Sequence, residues 1–164
     1  MKKVLAVLLL IALLAPACTA FAATPVYSST KTFLEVLDKE GISYTCKGVD
    51  EDGDEYVRIH QLDEDLPYSV EVFFEDDMQH NSIFVWYIIT FDEEDLLDVM
   101  LVCDTLNRTY NYTCFYVDET DNTVTCSMNL IYRDENVDQV FMDALWYLEA
   151  IMERAYPVLQ PYDK

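Results

Sequence analysis

Few side chains in this sequence are of a type and spacing that could do chemistry. Asp50, Asp52 and Asp54 stand at alternate positions, the spacing with which a loop wraps carboxylate oxygens round calcium. An EF-hand loop also needs glycine at its sixth position and a bidentate glutamate at its twelfth, and those positions hold Glu55 and Gln61. The run therefore reads as an acidic hairpin turn, with incidental cation binding at Asp50–Glu55 left open. The 2 histidines, His60 and His80, are the candidates for a neutral-pH base. Neither belongs to H-E-x-x-H or another ligand spacing, and no G-x-S-x-G supplies a nucleophile. His60 shares a strand face with Tyr56 and Arg58, while His80 falls in the turn Asp76–Asn81. With 31 acidic residues, choosing two carboxylates for acid–base work has no warrant, and 3 glycines give no phosphate-cradling loop. The expectation is a protein without catalytic, metal-binding or cofactor-binding residues, and not an enzyme.

Composition narrows the partners. The 164 residues carry 10 Lys and Arg against 31 Asp and Glu, a net charge of −21, so phosphate neutralisation and nucleic-acid binding are excluded. A hydrophobic content of 52% excludes disorder, and the length suits one domain.

Lys2 and Lys3 precede an apolar run from Val4 to Leu14 and a small-residue exit ending Ala20-Phe21-Ala22. A charged start, a short apolar middle and an A-x-A site make residues 1–22 a cleaved signal peptide. The run is too short to span a bilayer, so residues 23–164 are expected as one exported α+β domain with no membrane span. Lipid attachment at Cys18 is the rival, with Ala15-Pro16-Ala17 a poor match to a lipobox. The destination is the exterior, the periplasm or the envelope.

Four cysteines follow the leader: Cys46, Cys103, Cys114 and Cys126. An oxidising compartment permits two disulfides, and the absence of C-x-x-C excludes the usual thiol-redox and zinc arrangements. A hairpin symmetric about Thr120 sets Cys114 opposite Cys126, Tyr112 opposite Met128 and Tyr116 opposite Val124, which gives a cross-strand bridge between Cys114 and Cys126. Four buried thiols are the other reading.

These residues need elements to position them. Phe33, Leu34, Val36 and Leu37 form a helical stripe within Thr30–Glu40, stopped by Gly41. Alternation over Ile42–Lys47, Glu55–Gln61 and Tyr68–Glu75 predicts strands, and Ile83–Ile89, apolar throughout, predicts a central one. Asp92 with the acids after it opens a second helix, whose buried stripe is Leu96, Val99, Met100, Cys103 and Leu106. Asn111–Val117 and Thr123–Ile131 form a hairpin. A last helix runs from Val137 to Tyr156, capped by Asn136 and stopped by Pro157, with Val137, Phe141, Ala144, Leu148, Ile151 and Ala155 inward. The order is α-β-β-β-β-α-β-β-α, an antiparallel sheet with helices.

The distinctive feature is apolar surplus. Phe84, Trp86 and Ile88 share one face of the central strand, beyond what one helix layer covers. Met142, Trp146 and Ala150 lie opposite the main stripe of the last helix. Exposed together, Phe84, Trp86, Ile88, Met142 and Trp146 form a docking surface for a protein or peptide, a second copy of the chain included. The competing reading buries them all in a three-layer core.

From Ile83 onward the chain resembles the YbjN family, loosely described as bacterial sensory transduction regulators. The resemblance is carried by the apolar strand, the helix from Asp95-Leu96-Leu97-Asp98 through Cys103-Asp104-Thr105-Leu106-Asn107, and Phe115-Tyr116-Val117-Asp118. Met128-Asn129-Leu130 and the final helix to Leu159 complete it. It implies a fold similar to type III secretion chaperones, small acidic α+β proteins that commonly dimerise and bind polypeptides, and it brings no catalytic residues. Those chaperones are cytoplasmic, whereas this chain carries an export signal. The functional expectation is an exported, non-enzymatic interaction or chaperone-like module. The alternative is an acidic cation- or ligand-binding envelope protein.

Overall fold

The computed structural model describes residues 23–60, 68–75 and 80–164, the side chains of His80 and Asp134 excepted. The leader with Cys18, Gln61 and residues 76–79 lie outside the described residues. Helix α1, Ser28–Glu40, turns Phe33, Leu34 and Leu37 inward. Gly41 ends it at φ 73°, where the next amide, that of Ile42, donates to the Leu37 carbonyl at 2.9 Å. Strands β1 (Tyr44–Val49), β2 (Glu55–Ile59), β3 (Val70–Phe74) and β4 (His80–Thr90) follow. Helix α2, Leu96–Thr109, comes next, then β5 (Thr113–Asp118), β6 (Thr123–Ile131) and helix α3, Val137–Leu159. This is the order of elements expected from the periodicities.

All neighbouring strands pair antiparallel, in the spatial order β1-β2-β3-β4-β6-β5. β4, the apolar strand, is central as its composition requires. Val57, Val72, Ile83 and Met128 follow one another across the sheet and are buried, as are Val85, Cys126 and Phe115 one step along. The helices lie on this inner face. Phe33 of α1, Phe74 of β3 and Phe141 of α3 meet with ring centroids 5.0–5.5 Å apart. Each such ring stabilises the fold by about 1.5–3 kcal/mol through burial.

Both flanks of the sheet are tied down. The Ala23 N–H donates to the Cys46 carbonyl of edge strand β1 at 3.0 Å. A Cβ on Gly48 would stand 3.0 Å from that of Ala23, so glycine permits the approach. Glu55, wholly buried, accepts the Val26 and Tyr27 amides at 2.7 and 3.0 Å and anchors the entry to α1. At the other edge, Asn107 of α2 accepts the Phe115 N–H at 2.7 Å and donates to the Phe115 carbonyl at 2.8 Å. One amide thus closes β5 at that residue against further strand pairing.

Several local expectations are corrected. A short 3-10 turn, Glu93–Asp95, precedes α2, and Asp92 makes no capping bond but pairs with Lys164. The Asn136 side chain accepts the Arg133 amide at 2.8 Å within another 3-10 turn, Asp134–Asn136, rather than capping α3. Helix α3 runs through Pro157 to Leu159. Proline removes one N–H and frees the carbonyl of exposed Glu153, which water can satisfy, while buried Leu159 holds the last turn to the core.

The hairpin register differs by one residue from the symmetric expectation. Phe115 opposes Cys126, Cys114 opposes Ser127, Thr113 opposes Met128, and Val117 opposes Val124. The four-residue connection 119–122, with Asn122 at φ 53° and the Thr120 amide bonded to Asp118, sets this register. The slip buries Phe115 and leaves Cys114 on the outer face, a larger hydrophobic gain than the reverse. Cys114 and Cys126 face opposite sides of the sheet, so the cross-strand bridge has no geometry here. All four cysteines after the leader are free thiols, with Cys114 exposed and the others buried.

Candidate functional site

The sheet face away from the helices carries Tyr56 and Arg58 of β2, Glu71 and Phe73 of β3, Ser82 and Phe84 of β4, and Cys114 and Tyr116 of β5. Strand alternation puts them there: each is one step from an inward residue. Tyr56 stacks on Phe73 at 5.2 Å, Phe73 meets Phe84 edge-on at 5.5 Å, and Phe84 stacks on Trp86 at 4.6 Å. The result is a continuous row of four half-buried rings across three strands. Beside it, Arg58 Nε donates to Glu71 Oε1 at 2.7 Å, and Ser82 Oγ donates to Asn129 Oδ1 at 3.0 Å. The polar groups beside the row thus satisfy one another.

The five anticipated docking residues do not form one patch. Phe84 and Trp86 join the row. Ile88 does not: β4 carries Trp86, Tyr87 and Ile88 where β6 has only Thr125 between paired positions. Tyr87 takes φ 54° there, and Ile88 turns into the core at 2% exposure. Met142 is also core, at 5% exposure: α3 touches both other helices, and its Phe141 meets Phe74 of the sheet. Trp146 is 52% exposed on the helical side, near Tyr147, whose ring meets Tyr112 at 6.5 Å. Tyr56 and Phe73 complete the row without being among the five anticipated residues. Their signal was available, since each faces the other across β2 and β3 and alternates with inward valine and phenylalanine.

The polar candidates are dispersed. His60 is exposed and its Nε2 lies 2.7 Å from Thr45 Oγ1, while His80 occupies the first position of β4. Among the described residues no group of three or more His, Cys, Asp or Glu is arranged to hold a metal. The Asp50 carboxylate accepts the Asp52 and Asp54 amides at 3.0 Å each, so it closes its own turn. Burial, and then Asp50 and Asp52, push the Asp54 carboxyl above the ordinary aspartate value. Burial, and then Cys114, raise the Cys103 thiol to about 11, and burial raises Cys126 well beyond the ordinary thiol range. No described helix is long and apolar enough to cross a membrane.

This arrangement defines an α+β protein with helices on one sheet face and an aromatic row on the other. Among solved structures, YbjN from E. coli, provisionally described as a transcription regulator, is similar to it: the TM-score is 0.61, with 80% of this chain and 91% of that one covered. At 12% identity the likeness is one of fold. No family model matches the sequence, and no curated protein does.

Proposed function

We propose that the chain is an exported, non-enzymatic protein-interaction module akin to the YbjN proteins, with the chaperone-like fold that the resemblance implies. Its docking face is the outer side of the sheet. The observation that carries this reading is the row Tyr56–Phe73–Phe84–Trp86, half-buried on the sheet face opposite the helix layer. The occupant is a protein or peptide chain, with a second copy forming a homodimer as the simplest case. A regulatory role of the kind ascribed to the E. coli neighbour would act through protein contact, since a net charge of −21 repels nucleic acid. Export by the leader, with cleavage after Ala22, supplies the destination.

Sedimentation velocity on the processed protein, in moderate salt, tests the dimer and the face together. The expected result is a dimer that Phe73→Glu or Trp86→Glu converts to monomer, and an exported product whose mass begins at Ala23. A strict monomer whose Trp86 fluorescence stays unchanged in the secreted or envelope fraction overturns the reading. So does a product that retains its leader in the cytoplasm.

A further inference from the structure

The helical side carries a second apolar feature, independent of the aromatic row. Leu97 is 74% exposed and Leu101 64%, with Met100 and Val158 also open to solvent. For a two-layer protein that already has a filled core, this is an unusual concentration of aliphatic surface on one pair of helices. Leu101, Val102 and Leu106 of α2 and Tyr110 just after it line a groove of about 430 Å³ with Val158 of α3 and Tyr162 just past its end. Thr105 and Thr109 also line it, and each donates its hydroxyl to the carbonyl four residues back, at 2.9 and 2.8 Å. Their polar groups are thereby satisfied within α2, so the groove asks for apolar contact.

Charge selects the occupant. Asp92, Glu93, Glu94, Asp95 and Asp98 crowd the start of α2, and an open cleft is lined by the first three. The chain end reaches this pole, where Lys164 pairs with Asp92. Asp98 lines the groove at that pole, and Arg154 lines it farther back along α3. An aliphatic groove with Asp98 at its mouth, and with the other acids of the start of α2 preceding Asp98 in the chain, complements a helix that is apolar on one face and basic on the other. An anionic amphiphile or an acidic helix would meet like charge at the mouth.

We infer that the groove between α2 and α3 seats a basic amphipathic helix of a partner protein. This rests on reading the chain as an interaction module but uses a surface separate from the aromatic row. The test is calorimetric titration of the full chain with a synthetic peptide of leucine and lysine at helical spacing, with circular dichroism recording its helicity. A matched peptide with glutamate in place of lysine is the control.

The lysine peptide is expected to bind, gain helix and lose affinity as salt rises, while the glutamate peptide does not bind. Leu101→Gln and Val158→Gln, both at exposed positions that line the groove, are each expected to weaken binding about tenfold, the effect of losing one buried aliphatic contact. Trp86→Ala is expected to leave it unchanged. Equal binding of both peptides, or no binding of either, overturns the inference. Loss of binding in Trp86→Ala but not in the groove variants overturns it too, while leaving the sheet-face reading standing. Failure of the sheet-face reading shows separately, as a monomer indifferent to Phe73→Glu.

Discussion

Replacing Asn107 with alanine should cost about 2 kcal/mol of folding stability. The side chain makes two hydrogen bonds to one residue, accepting from the Phe115 N–H at 2.7 Å and donating to its carbonyl at 2.8 Å. Each is worth about 1 kcal/mol net, since folding exchanges them for bonds to water. The full desolvation penalty does not apply, because Asn107 itself is exposed and water can approach from its side. Nor does the cost vanish, because Phe115 is buried and its strand is the last in the sheet. Asn107→Asp separates the two bonds: a carboxylate still accepts the N–H but cannot donate to the carbonyl. It should fall between parent and alanine variant.

Urea denaturation reads the midpoint, and a thermal melt should show a fall of about 4–8 °C for the alanine variant. Hydrogen exchange at the Phe115 amide should accelerate in step with the local opening. An alanine variant within about 0.5 kcal/mol of the parent would refute the bridge as a stabilising element, since that is the range of neutral surface changes. An aspartate variant as stable as the parent would refute the two-bond reasoning, because the donated half would then contribute nothing.

Other consequences follow from single sites. In a glycosylating host the acceptor sequence Asn107-Arg108-Thr109 should stay bare, its amide being committed to Phe115, while exposed Asn111 of Asn111-Tyr112-Thr113 is modified; glycopeptide mass spectrometry would reveal the reverse. Cys114 should react with a thiol reagent in the native protein, whereas Cys46, Cys103 and Cys126, buried and raised in pKa, should react only on unfolding; rapid native labelling of Cys126 would contradict the register. Asp54 has a folded pKa above its unfolded one, so its contribution is fully present at low pH and is lost as pH rises across that interval. Asp54→Asn should therefore melt above the parent at neutral pH and converge with it in acid; a variant that melts lower at neutral pH would reverse the sign. Asn81 is 1% exposed and neither of its amide atoms has a hydrogen-bond partner among the described residues, so Asn81→Leu should gain about 1 kcal/mol in urea; a loss would point to a polar role for that side chain.

The elements were legible because their periodicities are long and undisturbed. Val70, Val72 and Phe74 alternate without exception, and Val137, Phe141, Ala144, Leu148, Ile151 and Ala155 keep one helical face, all buried. The register of β5 and β6 was not legible, because counting from Thr120 assumes a symmetric loop and nothing local says that the connection has four residues. Burial decides between Phe115 and Cys114, and burial is a property of the assembled sheet. Tyr87 hides for a related reason. A tyrosine at φ 54° contradicts its own backbone preference, so a strand reading carries Trp86 and Ile88 on one face and misses the bulge that separates them. Met142 was misplaced because a single stripe describes a helix packed on one surface, whereas α3 packs on the sheet and on two helices.

The closed edges give the two apolar surfaces their importance. β5 is capped by Asn107 at Phe115 and β1 is bonded by Ala23 at Cys46, so strand addition at these points is blocked. A partner must then approach a face. The two faces respond to salt in opposite directions. Two copies meeting through the aromatic row each bring a charge of −21, so screening should strengthen that dimer. A basic helix in the groove is drawn by the acids at the start of α2, so screening should weaken it. An association that tightens as salt rises therefore belongs to the sheet, and one that loosens belongs to the helices. The sign of that single dependence assigns the surface before any substitution is made.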